Sequence, residues 1–359
     1  MRIIIVGGGT GGHLYPGIAV AQELKRWDPR ARIIFIGSRG GLARDIVAHE
    51  GFRYFEITSS GMVRRKWQEQ VLALGHLVRG FGEVLGVLRR VQPQVILGLG
   101  SYVSGPAMLA ACVLGMPRLI HEQNVVPGLT NRLLGHLVNR VAVSFAASAA
   151  HFPKGKVVVT GNPVRPAICQ ARTRTHAPNG RFHLLMFGGG QGAHHLNVAM
   201  LEAMPRLVDV RDSLWIVHQT GQNDFAAVQK SYAESGYAGV VHAYIQDMAT
   251  EYGAADLVLC RAGATTVAEL TATGKPAMLV PFPYAANHHQ EYNARTLAAA
   301  GAAELIPDQT LSGSLLAERI RYYLWHPQEV ADMATRCLAL GTPDAATRVA
   351  QLCLELCGL

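Results

Sequence analysis

Two kinds of hydrophobic pattern alternate along the chain. Short β-branched or apolar runs at 2–6, 32–36, 54–57, 95–97, 119–120, 141–144, 157–160, 182–187, 214–217, 240–243, 257–260 and 277–280 read as buried parallel strands. Between them, apolar residues recur every three or four positions. This spacing predicts helices at 17–27, 42–49 and 68–91, another running through Cys112, then 225–233 and 248–253, and three at the end of the chain, the last at 345–356. Such alternation predicts βαβ units and an α/β fold. In the opening unit Ile3, Ile4, Ile5 and Val6 lead into Gly7, Gly8, Gly9, Thr10, Gly11, Gly12 and His13, with Pro16 placed to start the helix at Gly17. Glycine turns follow strands again at 98–106 and 188–193, so the second half repeats the opening unit in kind. Residues 161–166 read as a hinge. Residues 170–181 are polar and aperiodic and contain Pro178, Asn179 and Gly180, which places a domain boundary near there. The last helix is expected to cross back and brace the first domain.

Length and composition narrow the class. A chain of 359 residues suits two domains, and 49% apolar with 16% charged residues excludes a disordered or fibrous protein. The most apolar stretch, 106–120, is interrupted by Gly115, Pro117 and Arg118, so no bilayer-spanning helix is expected. The chain opens on a strand rather than a basic-then-apolar leader, and the cytoplasm is the expected compartment. Six scattered cysteines lack metal-ligand spacing and read as buried small hydrophobes. A formal charge of +8 favours anionic partners in general, whether nucleotide, phospholipid or nucleic acid. The helix at 68–91 carries more apolar surface than one packed stripe requires. It follows Arg64, Arg65, Lys66 and Trp67, so residues such as Leu77 and Phe81 are left to touch a membrane.

The candidate chemistry lies at strand ends. Glycine turns that open helices aim N–H groups at an anion, or else serve only as tight connections. Facing helix N-termini suit a diphosphate, and the absence of any Asp-x-Asp pair argues against a divalent cation as its main ligand; helix ends and Arg165 or Arg261 remain for the task. Glu269, early in a helix, can accept hydrogen bonds from a ribose diol or simply compensate the helix dipole. Residues 288–291 offer imidazole and amide groups to sugar hydroxyls, or form a polar helix start. His121, Glu122, Gln123 and Asn124 stand where a parallel strand meets its carboxyl-end loop, the usual ligand position in open α/β sheets. His13 can deprotonate an acceptor hydroxyl near neutral pH or act only as a cap. Glu122 is the competing base.

In order, the segments 8–13 with Pro16 and Gly17, 121–124, 161–165, 188–193, 261–269, His289, Gln290, Asn293 and Ala294 resemble the MurG family over nearly the whole chain. These are the peptidoglycan N-acetylglucosaminyltransferases that convert lipid I to lipid II. The resemblance implies a GT-B fold, with two Rossmann-like doubly wound parallel-sheet domains facing each other across a cleft. Residues 1–163 would bind acceptor and membrane, 343–359 would pack back on them, and 164–342 would bind UDP-GlcNAc. It implies an inverting hexosyltransferase moving GlcNAc from UDP-GlcNAc to the MurNAc C4 hydroxyl of undecaprenyl-diphospho-MurNAc-pentapeptide, in cell-wall biogenesis and hence cell shape and division.

The implied location is peripheral, on the cytoplasmic face of the cell inner membrane. Anionic phospholipid and cell-wall synthesis proteins are the further partners, with no nucleic acid, no cofactor and no metal. Donor positions are Thr10, Gly11, Gly12, Asn124, Arg165, Gly190, Ile245, Ala264, Thr265, Thr266, Val267, Ala268, Glu269, His289 and Gln290, with Ile245 offering backbone groups to uracil and Glu269 holding the ribose. The acceptor diphosphate would meet Gly9, Gly11, Gly12, Gly100, Ser101 and Tyr102, and either His13 or Glu122 would be the base. Two positions depart from the family. Gly190 stands in place of its usual serine, so backbone N–H groups or water must replace a hydroxyl, and His289 stands where some relatives carry glutamine. A UDP-GlcNAc 2-epimerase-like isomerase has a related architecture, but a soluble substrate gives the basic, apolar 64–91 segment no purpose. A nucleotide-sugar-binding protein without chemistry is the third reading. A dinucleotide oxidoreductase fits worse, because the first glycine loop lacks clean G-x-G-x-x-G spacing and an acidic ribose ligand.

Overall fold

The structure, a computed structural model, describes residues 1–8, 11–40, 43–59, 67–171 and 180–358, with backbone only for 67–74. The chain forms two compact units, Met1–Arg165 with Pro343–Leu359, and Pro166–Thr342. The boundary thus falls at Arg165, ahead of the polar passage, most of which lies outside the described residues.

In the first unit, β1 (Arg2–Val6), α1 (Gly11–Trp27), β2 (Arg32–Ser38), α2 (Ala43–His49), β3 (Arg53–Ile57), α3 (Trp67–Val91), β4 (Val95–Gly98), α4 (Ser104–Val113), β5 (Arg118–Glu122), α5 (Leu129–Leu134), β6 (Arg140–Val143) and β7 (Val157–Val159) follow in order. The sheet is parallel, in the order β3-β2-β1-β4-β5-β6-β7. β1 is central, so side chains of alternate parity fill both faces: Ile3 and Ile5 join one core, Ile4 and Val6 the other. That two-sided burial is why β1 reads as an unbroken apolar run.

Helix α1 begins at Gly11, earlier than the start expected at Pro16, and Pro16 lies inside it. The glycine loop therefore runs straight into the helix. Proline in the second turn withholds one backbone donor without ending the helix. A Cβ on Gly17 would collide with Leu99 and press on Ile5, so glycine is what lets α1 lie directly against β1 and the loop after β4.

The second unit runs α6 (Pro166–Gln170), β8 (Phe182–Phe187), α7 (His194–Ala203), β9 (Leu214–Gln219), α8 (Phe225–Ser235), β10 (Gly239–His242), α9 (Met248–Ala254), β11 (Leu257–Cys260), α10 (Ala264–Thr273), β12 (Ala277–Leu279), α11 (His289–Ala299), β13 (Ala303–Leu305), α12 (Gly313–Trp325) and α13 (Pro327–Ala339). Its parallel sheet has the order β10-β9-β8-β11-β12-β13. The last helix, α14 (Ala345–Cys357), buries Val349, Ala350, Leu352 and Cys353 in the first unit's core, and Thr347 Oγ1 donates to Glu23 at 2.9 Å. In each sheet the strand order reverses beside the first strand, at β1/β4 and at β8/β11. The loops at those carboxyl ends are where such sheets bind ligands. The short elements α5, α6 and β13 carry too few periods to stand out in sequence.

Candidate functional site

In the first unit one residue draws the loops together. Gln123, 1% exposed, directs Nε2 to the Leu99 carbonyl at 2.9 Å, while its Oε1 lies 3.0 Å from His13 Nδ1. The same Nε2 is 3.1 Å from Nδ1 of His121, whose Nε2 in turn donates to the Gly161 carbonyl at 3.0 Å. Burial pushes the His121 pKa down to about 4, against the opposing pull of the Gly161 carbonyl, so the ring is neutral at pH 7. His13 stands in the first turn of α1 and is half-buried.

Glu122 is differently placed. At 2% exposure, Oε1 accepts from the Asn124 N–H at 2.9 Å and from Asn124 Nδ2 at 3.3 Å, and Oε2 accepts from Asn131 Nδ2 at 2.8 Å. A carboxylate so wrapped is an anchor for the 121–124 turn and for α5, and is poorly placed to receive a substrate proton.

The loop after β4 is strained. Gly100 (φ 86°) is followed by Ser101 at φ 65°, a left-handed conformation uncommon for a side-chain-bearing residue, and the buried Ser101 Oγ makes no hydrogen bond within the described residues. Beside it Ser104 Oγ donates to the Gly100 carbonyl at 2.6 Å, and Tyr102 is 40% exposed. Arg165 lays its guanidinium over the Tyr15 ring at 4.2 Å. Gly11 and Gly12 open α1. Gly9, Thr10, Arg64, Arg65 and Lys66 lie outside the described residues, as does the Trp67 side chain. Leu77 is half-buried, and Phe81 packs partly against the core rather than standing free.

In the second unit the 188–193 loop rests on the end of β9. A Cβ on Gly192 (φ 78°) would strike the Thr220 carbonyl, so only glycine permits this approach. Gln219 ties the loop down, donating to the Gly189 carbonyl at 2.8 Å and accepting the Ile245 N–H at 2.7 Å. The Ile245 N–H is thus already engaged, which leaves its carbonyl for a ligand. Gly190 is exposed, and a Cβ there meets the Tyr244 ring at 3.7 Å, an ordinary contact.

Beneath this loop lies a buried polar chain. Tyr232 reaches His218 Nδ1 at 3.2 Å, His218 Nε2 donates to Asn197 Oδ1 at 3.0 Å, and Asn197 Nδ2 donates to the Thr220 carbonyl and to Asp224. Burial pushes the His218 pKa down to about 4.

Helix α10 starts after Gly263 with no capping side chain. Ala264, Thr265, Thr266, Val267 and Ala268 form its first turns, and Glu269 follows at 7% exposure, accepting from the buried Tyr252 hydroxyl at 3.2 Å. Tyr252 packs edge-on against Phe187 at the end of β8. Gln290 Oε1 accepts the Phe282 N–H at 2.9 Å, and His289 Nδ1 donates to the Ala286 carbonyl at 2.7 Å. Asn287 and His288, at φ 52° and 50°, are consecutive left-handed residues in this turn.

Arg261 also serves the fold. Its guanidinium donates to the Val280 and Pro281 carbonyls and to Asp308 at 2.5 Å, a pair in which both side chains are largely buried. Asp308 also pairs with His195 at 3.1 Å. These contacts all run through Nη1, by which Arg261 fastens the ends of β11 and β12 to the start of α7. Sequence reading missed Gln219, Asp308 and the His218 chain. Only Gln219 had a visible signal, a polar residue at the carboxyl end of a buried strand.

Two doubly wound parallel sheets with glycine loops at their switch points fit the GT-B fold, and the profiles of the glycosyltransferase family 28 N-terminal and C-terminal domains match residues 3–143 and 183–349, which makes this chain a glycosyltransferase of that family. The UDP-N-acetylglucosamine–N-acetylmuramyl-(pentapeptide) pyrophosphoryl-undecaprenol N-acetylglucosamine transferase of Syntrophus aciditrophicus (strain SB) is 42% identical over 356 residues, 99% of each chain. This chain belongs to that transferase family, the MurG family. The crystal structure of Acinetobacter baumannii MurG superposes with a TM-score of 0.75 at 29% identity, covering 99% of both chains. A UDP-GlcNAc 2-epimerase from Neisseria meningitidis bound to UDP-GlcNAc shares the fold alone, with 14% identity and a TM-score of 0.68 over 99% of this chain and 100% of the other.

Proposed function

We propose that the protein is the peptidoglycan transferase its family defines, moving GlcNAc from UDP-GlcNAc to the C4 hydroxyl of MurNAc in lipid I to give lipid II. The observation that carries this reading is 42% identity to such a transferase over the full length, together with both family domains in order. The second unit holds the donor. The Ile245 carbonyl meets uracil, Glu269 accepts from the ribose hydroxyls, Gln290 Nε2 reaches the sugar, and the uncapped starts of α7 and α10 stabilise the diphosphate. The first unit holds the acceptor diphosphate near Gly11, Gly12 and the 100–102 loop, and His13 takes the C4 proton. The C4 oxygen attacks C1 of GlcNAc opposite UDP, the C1–O bond to UDP breaks, and one displacement inverts the anomeric centre. His13 is favoured over Glu122 because both Glu122 oxygens already accept hydrogen bonds.

Donor binding needs no metal in this reading. Excess EDTA is expected to leave UDP binding unchanged; loss of binding would require a metal. Incubation with labelled UDP-GlcNAc and a lipid I analogue tests the function: UDP is released only with acceptor present. Without acceptor-dependent release the reading fails.

The protein also docks on an anionic membrane. No helix among the described residues is long and apolar enough to cross one. α3 packs on α4 and α4 on α5, and these neighbours expose Val78 (66%), Val113 (70%), Leu129 (55%) and Leu133 (63%). Val113→Asp with Leu133→Asp is expected to abolish flotation with phosphatidylglycerol vesicles while sparing turnover of a water-soluble acceptor. Unchanged flotation would place the membrane contact elsewhere.

A further inference from the structure

We propose that Gln123 is the positioning residue that decides which ring nitrogen of His13 is the base; this rests on the reading of His13 as base. The orientation of the carboxamide is fixed by chemistry. Its nitrogen lies 2.9 Å from the Leu99 carbonyl and 3.2 Å from the His121 carbonyl, and a carbonyl only accepts, so Nε2 faces both. The opposite atom, Oε1, also only accepts. It stands 3.0 Å from His13 Nδ1, so that nitrogen carries the proton. A neutral imidazole has one N–H, and the lone pair therefore sits on Nε2.

His121 reinforces the arrangement. Its Nδ1, 3.1 Å from Gln123 Nε2, shares with its own carbonyl the amide hydrogen that does not go to Leu99, and its Nε2 donates to the Gly161 carbonyl at 3.0 Å. Fixed carbonyls at Leu99 and Gly161 thus determine every proton in the chain from Gly161 to His13. Free histidine in water favours the other tautomer, with its proton on Nε2. Without Gln123, most copies of His13 would present an N–H to the acceptor hydroxyl where a lone pair is needed. At 1% exposure Gln123 is out of substrate's reach and acts only through His13.

The test uses the full-length protein labelled with [15N]histidine and a long-range 1H–15N correlation at neutral pH, with the His13 signals assigned by their loss in His13→Ala. In wild type the His13 proton is expected on Nδ1. In Gln123→Leu it moves to Nε2, and kcat falls about tenfold or more while the donor KM stays within about twofold. A wild-type His13 protonated on Nε2, or a Gln123→Leu variant with unchanged tautomer and kcat, overturns the proposal. The wild-type spectrum needs no change at position 123, so it decides the tautomer even where Gln123→Leu misfolds. If the tautomer is as assigned yet His13→Ala turns over normally, the base reading fails while the tautomer assignment stands.

Discussion

Gly190 offers a change that should improve the protein. Its loop leaves ordinary van der Waals space toward Tyr244, and its φ is not left-handed, so serine fits without strain. The hydroxyl absent at this position would add one hydrogen bond to the donor, contributing about 1 kcal/mol, or about a fivefold lower KM for UDP-GlcNAc in Gly190→Ser. An unchanged KM would mean that the donor does not pass this residue. Glu269→Gln is expected to act in the opposite direction. Losing hydrogen bonds to an ionised carboxylate should raise the donor KM about tenfold or more with a smaller change in kcat. At this scale the sequence was informative but incomplete. It put His13 and Glu122 on one shortlist, and only the wrapping of Glu122 by Asn124 and Asn131 separates them. That Asp308, 47 residues away, is the partner of Arg261 left no sign in the sequence.

Strands were legible because parallel sheets bury both faces, leaving apolar runs such as 2–6 that no helix stripe resembles. Helix starts were less legible. Pro16 read as the first turn of α1, whereas the glycine loop itself begins the helix. α14 was visible through its periodicity, and its packing allows a direct check. Ala350 is fully buried against the first unit, so Ala350→Asp places an unpaired charge in that core. The expected cost is several kcal/mol, read as a lower melting temperature for the first unit in calorimetry; an unchanged thermogram would contradict the packing. Two strand histidines, His121 on β5 and His218 on β9, are kept neutral by burial and pushed down to about 4. The unfolded chain takes these protons near the ordinary value of about 6.5, so between there and pH 4 it binds more protons than the folded one. Stability from this source is complete above pH 6.5 and declines as pH falls toward 4, by on the order of 3 kcal/mol per histidine. His218→Gln should flatten the dependence of melting temperature on pH across that window; a slope equal to wild type would mean that His218 does not contribute.

For the whole molecule, a formal charge of +8 and the exposed apolar side chains on α3, α4 and α5 would make the membrane docking proposed above both electrostatic and hydrophobic. Binding to anionic vesicles should weaken as salt shortens the screening length to below about 10 Å, without vanishing. Loss of all binding at high salt would remove the apolar contribution. The two-unit organisation was readable from the recurrence of strand, glycine loop and helix; the hinge read at 161–166 spans Arg165, whereas composition alone pointed past it to 170–181, because α6 continues with no change in polarity until residue 170. Inverting transfer of GlcNAc to the MurNAc C4 hydroxyl fixes the linkage of the product. NMR of the disaccharide formed from UDP-GlcNAc and a lipid I analogue tests it most directly. A β-1,4 linkage formed one-for-one with UDP is expected; an α linkage, or a UDP-sugar epimer formed without acceptor, would overturn inverting transfer.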